Sequence, residues 1–230
     1  MNEDGLVIQQ LELGPMMNFV YIIGCAETNA GAVVDPAWDV PGIVRAARKL
    51  DLNLQHILLT HAHPDHANGL EELLEATNAS VYLHAEEIQY ARTMAERYQV
   101  SIDFMQRRAG NIRSVTDNEE IHIGNVIVRC LHTPGHTPGS QCFLAGKNLF
   151  SGDTLFVDAC GRVDFPGGDP EKMWHSLNWK LKSLDDDIIL YPGHHYGKQP
   201  VSTMGEQKRS NPYMQFANPE DFMAAMGADI

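Results

Sequence analysis

No apolar run in this 230-residue chain approaches the ~20 residues that a membrane-spanning helix requires. Basic residues are scarce, with 17 Lys and Arg against 30 Asp and Glu and a formal net charge of −13 at pH 7. That deficit argues against nucleic acid or an anionic membrane as partner, since both are held by a cationic footprint. Cys25, Cys130, Cys142 and Cys160 show no paired short spacing, so they fit no disulfide framework and read as reduced, mostly buried thiols. Low-complexity stretches, flexible linkers and internal repeats are also missing, which points to one domain over residues 1–230. The opening Met1-Asn2-Glu3-Asp4-Gly5 is acidic where a secretory signal would be basic and then apolar. The expectation is a cytoplasmic protein.

Histidine, by contrast, is plentiful at 11 residues. Their meaning depends on the elements that hold them. Val7–Leu13, Asn18–Ile23 and Ala32–Asp35 read as strands, with a turn at Glu27-Thr28-Asn29 between the last two. Asp39 is placed to cap a helix running to Leu50, with Pro41 in its first turn. His56–Thr60 is a short, nearly all-apolar run, as in a strand buried on both faces. A helix carrying Leu70, Leu73 and Leu74 follows, then a strand at Ser80–His84. The β pattern resumes at Glu120–Ile123, Val126–Leu131, Gln141–Leu144 and Asn148–Ser151, followed by a helix over Glu171–Leu184 and a strand at Ile188–Tyr191. Such strand–helix–strand units imply a layered α/β fold with helices covering the sheet. Residues 85–118 break the rhythm: they begin as a helix and hold Arg92, Arg97, Arg107, Arg108 and Arg113. One reading is a solvated helix and connector; the other is a helical flap offering aromatic and cationic groups to an anionic ligand.

Four ligand-type side chains fall within six residues at His61, His63, Asp65 and His66, just beyond a buried strand. In extended backbone, residues two apart project to the same side, so His61 and His63 can grip one ion. Asp65 and His66 lie where the chain turns into a helix and can face a neighbouring ion. Packing explains such a cluster poorly, because uncompensated polar groups in a cleft cost free energy. Further ligands should come from loops at the same sheet edge: Thr133-Pro134-Gly135-His136, Ser151-Gly152-Asp153 and Pro192-Gly193-His194. His56, His84, His122 and His132 sit in strand-like segments and are assigned to packing or support. His175 is taken as surface or packing, and His195 as pointing away from His194. Cys160 reads as a small buried residue rather than a nucleophile.

The string Thr-His-Ala-His-Pro-Asp-His, with the later His136, Asp153 and His194, resembles the signature of the metallo-β-lactamase superfamily over nearly the whole chain. The resemblance implies an αββα sandwich, two mixed β-sheets with helices on the outer faces and two metal positions at the sheets' upper edges. It implies His61, His63 and His136 on one ion, Asp65, His66 and His194 on the other, and Asp153 bridging. Imidazole and carboxylate without thiolate suit two divalent ions, zinc first, with iron or manganese as alternatives. The ions would lower the pKa of bound water from ~15.7 to about 7 and supply a hydroxide nucleophile, with Asp65 as the proton acceptor.

Two stretches narrow the branch. Cys160-Gly161-Arg162 and His194-His195-Tyr196 are similar to motifs of glyoxalase II-type thioester hydrolases and of persulfide dioxygenases. There the matching cation and tyrosine contact glutathione, which implies Arg162 and Tyr196 as substrate-binding residues. A salt bridge for Arg162 and packing for Tyr196 are the plainer alternatives. The stretch from His194 to Ile230 is too short for the helical C-terminal domain of glyoxalase II. Arg162-Val163-Asp164-Phe165 looks closer to the dioxygenases, yet Tyr213 stands where they carry Arg. The chain therefore resembles compact glyoxalase II-like hydrolases, acting on a small thioester such as S-2-hydroxyacylglutathione. A mononuclear non-haem iron persulfide dioxygenase acting on glutathione persulfide is the alternative. A nuclease or phosphodiesterase ranks third, and homo-oligomerisation is left open.

Overall fold

The computed structural model describes residues 5–99 and 102–227. Alternating β-branched and aromatic residues near the start form three antiparallel strands, β1 (Leu6–Leu13), β2 (Asn18–Cys25) and β3 (Ala30–Val34). Three more, β4 (Asn53–Leu58), β5 (Ser80–His84) and β6 (Ile112–Val115), add in parallel beside β3, making a mixed sheet in the order β1 to β6. Helices α1 (Val40–Lys49), α2 (Pro64–Ala67), α3 (Leu70–Thr77), α4 (Ala85–Tyr98) and α5 (Asp103–Arg107) fill the connections. The Asp39 carboxylate accepts the Gly42 N–H at 2.9 Å and so caps α1, with Pro41 in its first turn.

The second sheet opens as an antiparallel meander of β7 (Glu120–Ile123), β8 (Val126–His132), β9 (Gln141–Ala145) and β10 (Asn148–Gly152). A short ribbon, β11 (Leu155–Phe156) with β12 (Ala159–Cys160), precedes α6 (Pro170–His175). Strand β13 (Ile189–Pro192) then pairs in parallel with β10, and β14 (Ser202–Thr203) completes the sheet. Helices α7 (Met204–Ser210) and α8 (Pro219–Ala225) end the described chain.

Strand periodicity divides the core into layers. Phe19, Tyr21 and Ile23 of β2 pack between the sheets with Phe143 and Phe150. The intervening Val20 and Ile22 face outward against Ile43 of α1 and Leu73 of α3. Beyond the second sheet, Leu149 and Leu190 meet Met173, Leu177 and Phe222. Full burial of each such side chain contributes about 1.5–3 kcal/mol. The result is the αββα arrangement of two mixed sheets with helices outside. Among the described residues no helix is long and apolar enough to cross a membrane.

Two segments depart from the sequence reading. Residues 85–118 do begin as a helix, α4, but they return to the sheet as β6. The expected helix over Glu171–Leu184 is α-helical only through His175, then widens over Ser176–Lys180 and tightens over Leu181–Ser183. There Ser176 Oγ donates to Pro134 O at 2.7 Å, a tertiary contact that periodicity does not encode.

Candidate metal centre

Strand ends from both sheets converge on one point. His61 follows β4, His136 follows β8, Asp153 follows β10 and His194 follows β13, while His63, Asp65 and His66 occupy the turn into α2. Gly152 at φ +50 makes the sharp turn into Asp153, and a Cβ there would lie 2.4 Å from Thr60 Oγ1. All seven residues singled out as metal ligands in the sequence lie together. The ligand atoms of His61, His63 and His136 are within 4.8 Å of one another, as are those of Asp65, His66 and His194. Asp153 lies between the groups, with Oδ2 at 3.6 Å from His136 Nε2 and 3.4 Å from His194 Nε2, and Oδ1 at 3.3 Å from His66 Nε2.

Each imidazole is oriented through its other nitrogen. The acceptors select tautomers in which His136 Nδ1 donates to Arg162 O at 2.7 Å, His194 Nδ1 to Met16 O at 2.9 Å and His66 Nδ1 to Asp35 Oδ2 at 3.1 Å. His61 Nδ1 lies 3.0 Å from Thr60 Oγ1, whose own proton goes to Asp35 Oδ2 at 2.6 Å. His63 is turned the other way, with Nε2 at 3.2 Å from the Tyr90 hydroxyl. The remaining nitrogens are thereby driven together: His63 Nδ1 and His136 Nε2 are 2.9 Å apart, and His66 Nε2 and His194 Nε2 are 3.0 Å apart.

Two polar atoms test whether a metal fits. His61 Nε2 and Asp153 Oδ1 are buried without a hydrogen-bond partner, an arrangement that costs free energy unless something else satisfies them. Convergent imidazole and carboxylate lone pairs suit a divalent cation, and the His/Asp clusters fit a metal site. Burial pushes the imidazoles of His61 and His136 below their usual range, and burial with the nearby His136 brings His63 to about 4. These rings are therefore neutral, the form that binds metal. At His66 burial acts downward, but the Asp153 and Asp35 carboxylates outweigh it and raise the group. At His194 burial is likewise outweighed by Asp153 and Asp65, which lift it to about 9. Burial acts upward on Asp65, yet His194, His66 and the Asn18 amide hold its carboxyl well below the ordinary range. Asp153 is likewise ionised, burial being overcome by His66 and His194.

Asp35, Thr60, Asn18, Glu87 and Tyr90 support the centre and were missed in the sequence. Asn18 Nδ2 donates to Asp65 Oδ2 at 3.0 Å. The buried Glu87 carboxylate accepts Ala62 N–H at 2.8 Å on Oε1, and Gly139 N–H at 2.9 Å and the Thr137 hydroxyl at 2.7 Å on Oε2. It therefore ties α4 to both histidine-bearing loops. Gly139 permits this approach, since a Cβ there would meet the Glu87 backbone nitrogen at 2.2 Å.

Arg162 and Tyr196 both line the cavity at the centre. Arg162 forms a bidentate pair with Asp164 at 2.8 and 2.6 Å and lies 4.3 Å over the Phe165 ring. Tyr196 stacks on His194 with ring centroids 4.5 Å apart. Arg92, Arg97, Arg107 and Arg108 are absent from the cavity lining, and Arg107 pairs with Glu71 on the surface, the placement of the solvated-helix reading. Burial pushes the Cys160 thiol up to about 12, which removes it as a nucleophile. His195 turns away to Glu12 at 2.8 Å, and His84 stacks on His132 at 3.8 Å.

This sandwich, with His and Asp ligand sets at its sheet edges, defines the metallo-β-lactamase class of metallo-hydrolases. Residues 13–194 match the family described as Metallo-beta-lactamase superfamily, and the chain belongs to that superfamily. It is 34% identical over 206 residues to the probable polyketide biosynthesis zinc-dependent hydrolase PksB of Bacillus subtilis, covering 90% of this chain and 85% of that protein. It is 35% identical over 196 residues to the hydroxyacylglutathione hydrolase GloC of Haemophilus influenzae, covering 82% of this chain and 88% of the relative. The crystal structure of ETHE1 from Myxococcus xanthus superposes with a TM-score of 0.81 at 29% identity, over 96% of this chain and 90% of that one.

Proposed function

We propose that the chain is a metal-dependent thioester hydrolase, with glutathione thioesters among its substrates. His61, His63 and His136 would hold one divalent ion and Asp65, His66 and His194 a second, with Asp153 placed between the two sets. The observation that carries this reading is the pair of complete ligand trios on either side of one carboxylate. The hydroxyacylglutathione hydrolase GloC and the zinc-dependent PksB among the relatives support the substrate class and zinc as the metal. When bound, the ions supply a nucleophile from water at neutral pH and stabilise developing negative charge. Asp65, ionised and fixed by Asn18, takes up the proton. A thiolate leaves readily, so no strong general acid is required. Arg162 and Tyr196 contact the thiol-bearing half of the substrate.

Likeness to the human mitochondrial persulfide dioxygenase ETHE1 and to ETHE1 from Myxococcus xanthus favours a second reading, iron-dependent oxidation of a persulfide. Metal analysis with parallel thioesterase and oxygen-electrode assays separates the two. Thiol release from an S-2-hydroxyacylglutathione without dioxygen consumption is expected. Stoichiometric O₂ uptake with glutathione persulfide, alongside inert thioesters, would hand the site to the dioxygenase reading.

Arg162 is exposed and already neutralised by Asp164, so its contribution to binding is modest. Arg162→Ala is expected to raise KM for glutathione thioesters about two- to fivefold, the scale of an exposed charge contact, while kcat stays nearly constant. A steady-state comparison in which kcat falls and KM is unchanged would remove Arg162 from the substrate pocket.

A further inference from the structure

The cavity at the metal centre is much larger than the centre. Its volume is about 700 Å³, and it extends from His63, Asp65, Asp153 and His194 to a wall formed by Leu59, Leu70 and Leu83 together with one face of α4. Cavities of about 300–1,000 Å³ enclose drug-sized molecules; this volume includes the Arg162 and Tyr196 end assigned to the thiol-bearing half, and the α4 wall borders the part that remains for the acyl group. Helical phase explains the character of the wall. Tyr90, Ala91, Met94, Ala95 and Tyr98 recur at three- and four-residue spacing and line the cavity, whereas Arg92, Thr93, Glu96 and Arg97 lie on the exposed side. Two of these α4 positions, Ala91 and Ala95, are alanines, which leave open the volume that larger side chains would fill. Ile102 and Met105 continue the apolar lining past α4. Among the described residues of the lining, every charged or titratable acid–base group apart from the two tyrosines of α4 belongs to the metal cluster or is Arg162, Cys160 or Tyr196.

We infer that this chamber receives the acyl half of the substrate, and that the preferred acyl group is an unsubstituted aliphatic chain rather than a short hydroxyacyl. The inference rests on the hydrolase reading above and specifies its substrate. In the reaction the carbonyl carbon gains an oxygen from water and loses its bond to sulfur. A fatty acid and a free thiol leave, the thiol carrying one of the water's protons. An aliphatic chain removes apolar wall from water along its whole length, whereas a hydroxyl against Leu70, Leu83, Ala91 or Met94 loses hydration unless it reaches Asn68 or a tyrosine hydroxyl of α4, the few uncharged polar side chains of that wall.

The test uses the metal-loaded full chain and acetyl, butyryl, hexanoyl and octanoyl thioesters of one thiol, with the lactoyl thioester alongside. On the wild type, kcat/KM is expected to rise on the order of threefold per added methylene until the chamber is filled, and the butyryl thioester to exceed the lactoyl one. Ala91→Leu and Ala95→Leu, each placing a larger side chain in the chamber, are expected to reduce the octanoyl-to-acetyl ratio of kcat/KM at least tenfold. The ratio is read within each variant, so a change in overall activity does not mimic the effect, and the wild-type profile stands if either variant fails to fold. A flat or falling profile with active thioester hydrolysis would overturn the aliphatic assignment and leave the hydrolase reading standing. Failure to cleave a thioester of any length would overturn the hydrolase reading itself, and the acyl chamber with it.

Discussion

Asp153→Asn is expected to abolish binding of one or both metal ions and to lower kcat/KM on the order of a thousandfold or more. The carboxylate reaches towards both ligand trios, with Oδ2 3.6 Å from His136 Nε2 and 3.4 Å from His194 Nε2, while Oδ1 is buried without a hydrogen-bond partner. An amide keeps the shape but offers one oxygen and replaces the other with a donor, so it cannot span two cations. A bound ion contributes several kcal/mol to transition-state charge stabilisation, and about 1.4 kcal/mol corresponds to tenfold in rate. Elemental analysis and steady-state kinetics on the same preparation decide the matter. Full metal occupancy with normal turnover in the Asn variant would falsify the bridging assignment.

The second large effect is expected at a residue that is not itself among the proposed ligands. Glu87→Gln should lower stability by about 1–3 kcal/mol, the cost of an unsatisfied buried donor. Gln can accept Ala62 N–H and donate to the Thr137 hydroxyl, but its amide nitrogen then faces Gly139 N–H, with donor against donor at the position now spanned by a 2.9 Å bond. At about 2–4 °C per kcal/mol for a chain of this size, Tm should fall by roughly 2–12 °C. Activity should fall about ten- to a hundredfold, the range seen when the groups that orient metal ligands are removed. A variant with wild-type Tm and turnover would show that α4 does not hold the loops.

Glu87 also has a pH signature. Burial pushes its carboxyl up, hydrogen bonds from Thr137, Ala62 and Gly139 pull it down, and the balance lies at about 7. Its folded pKa therefore exceeds its unfolded value of about 4.3, and between the two the native state binds more protons. The associated stability is fully present below the unfolded pKa and is lost as pH rises through about 7. Denaturant melts across this window should show the decline in wild type and a flatter profile in Glu87→Gln. Identical slopes would refute the linkage.

The gathering of His61, His63, Asp65, His66, His136, Asp153 and His194 was legible in the sequence because each follows an apolar strand, and strands of one sheet end at a common edge. Asp35, Thr60 and Glu87 were not. They bear no ligand-type spacing, and apart from the contact of Thr60 with its neighbour His61 the bonds that place them join positions 25 to 52 apart along the chain. Strand β6 escaped because Ile112-Arg113-Ser114-Val115 buries only Val115 and shows no two-residue alternation. The two readings of 85–118 stayed open in the sequence for a related reason. Composition marked 85–118 as cationic, but helical phase decides which side chains reach the cavity, and Tyr90, Ala91, Met94, Ala95 and Tyr98 do so instead.

The proposed ligands come from both halves of the chain, His61 to His66 from turns off the first sheet and His136, Asp153 and His194 from turns off the second. Each proposed trio draws on both halves, so a bound ion acts as a removable clasp over the completed sandwich. Cation binding is then a source of folding free energy: at a hundredfold excess over Kd the native state gains about 2.7 kcal/mol per site. Chelation should accordingly lower Tm by roughly 5–11 °C for one such site, and should expose the chain to proteolysis at the seam between the sheets. In a metal-poor environment the abundance of this protein would therefore follow the supply of its ion as closely as its activity does.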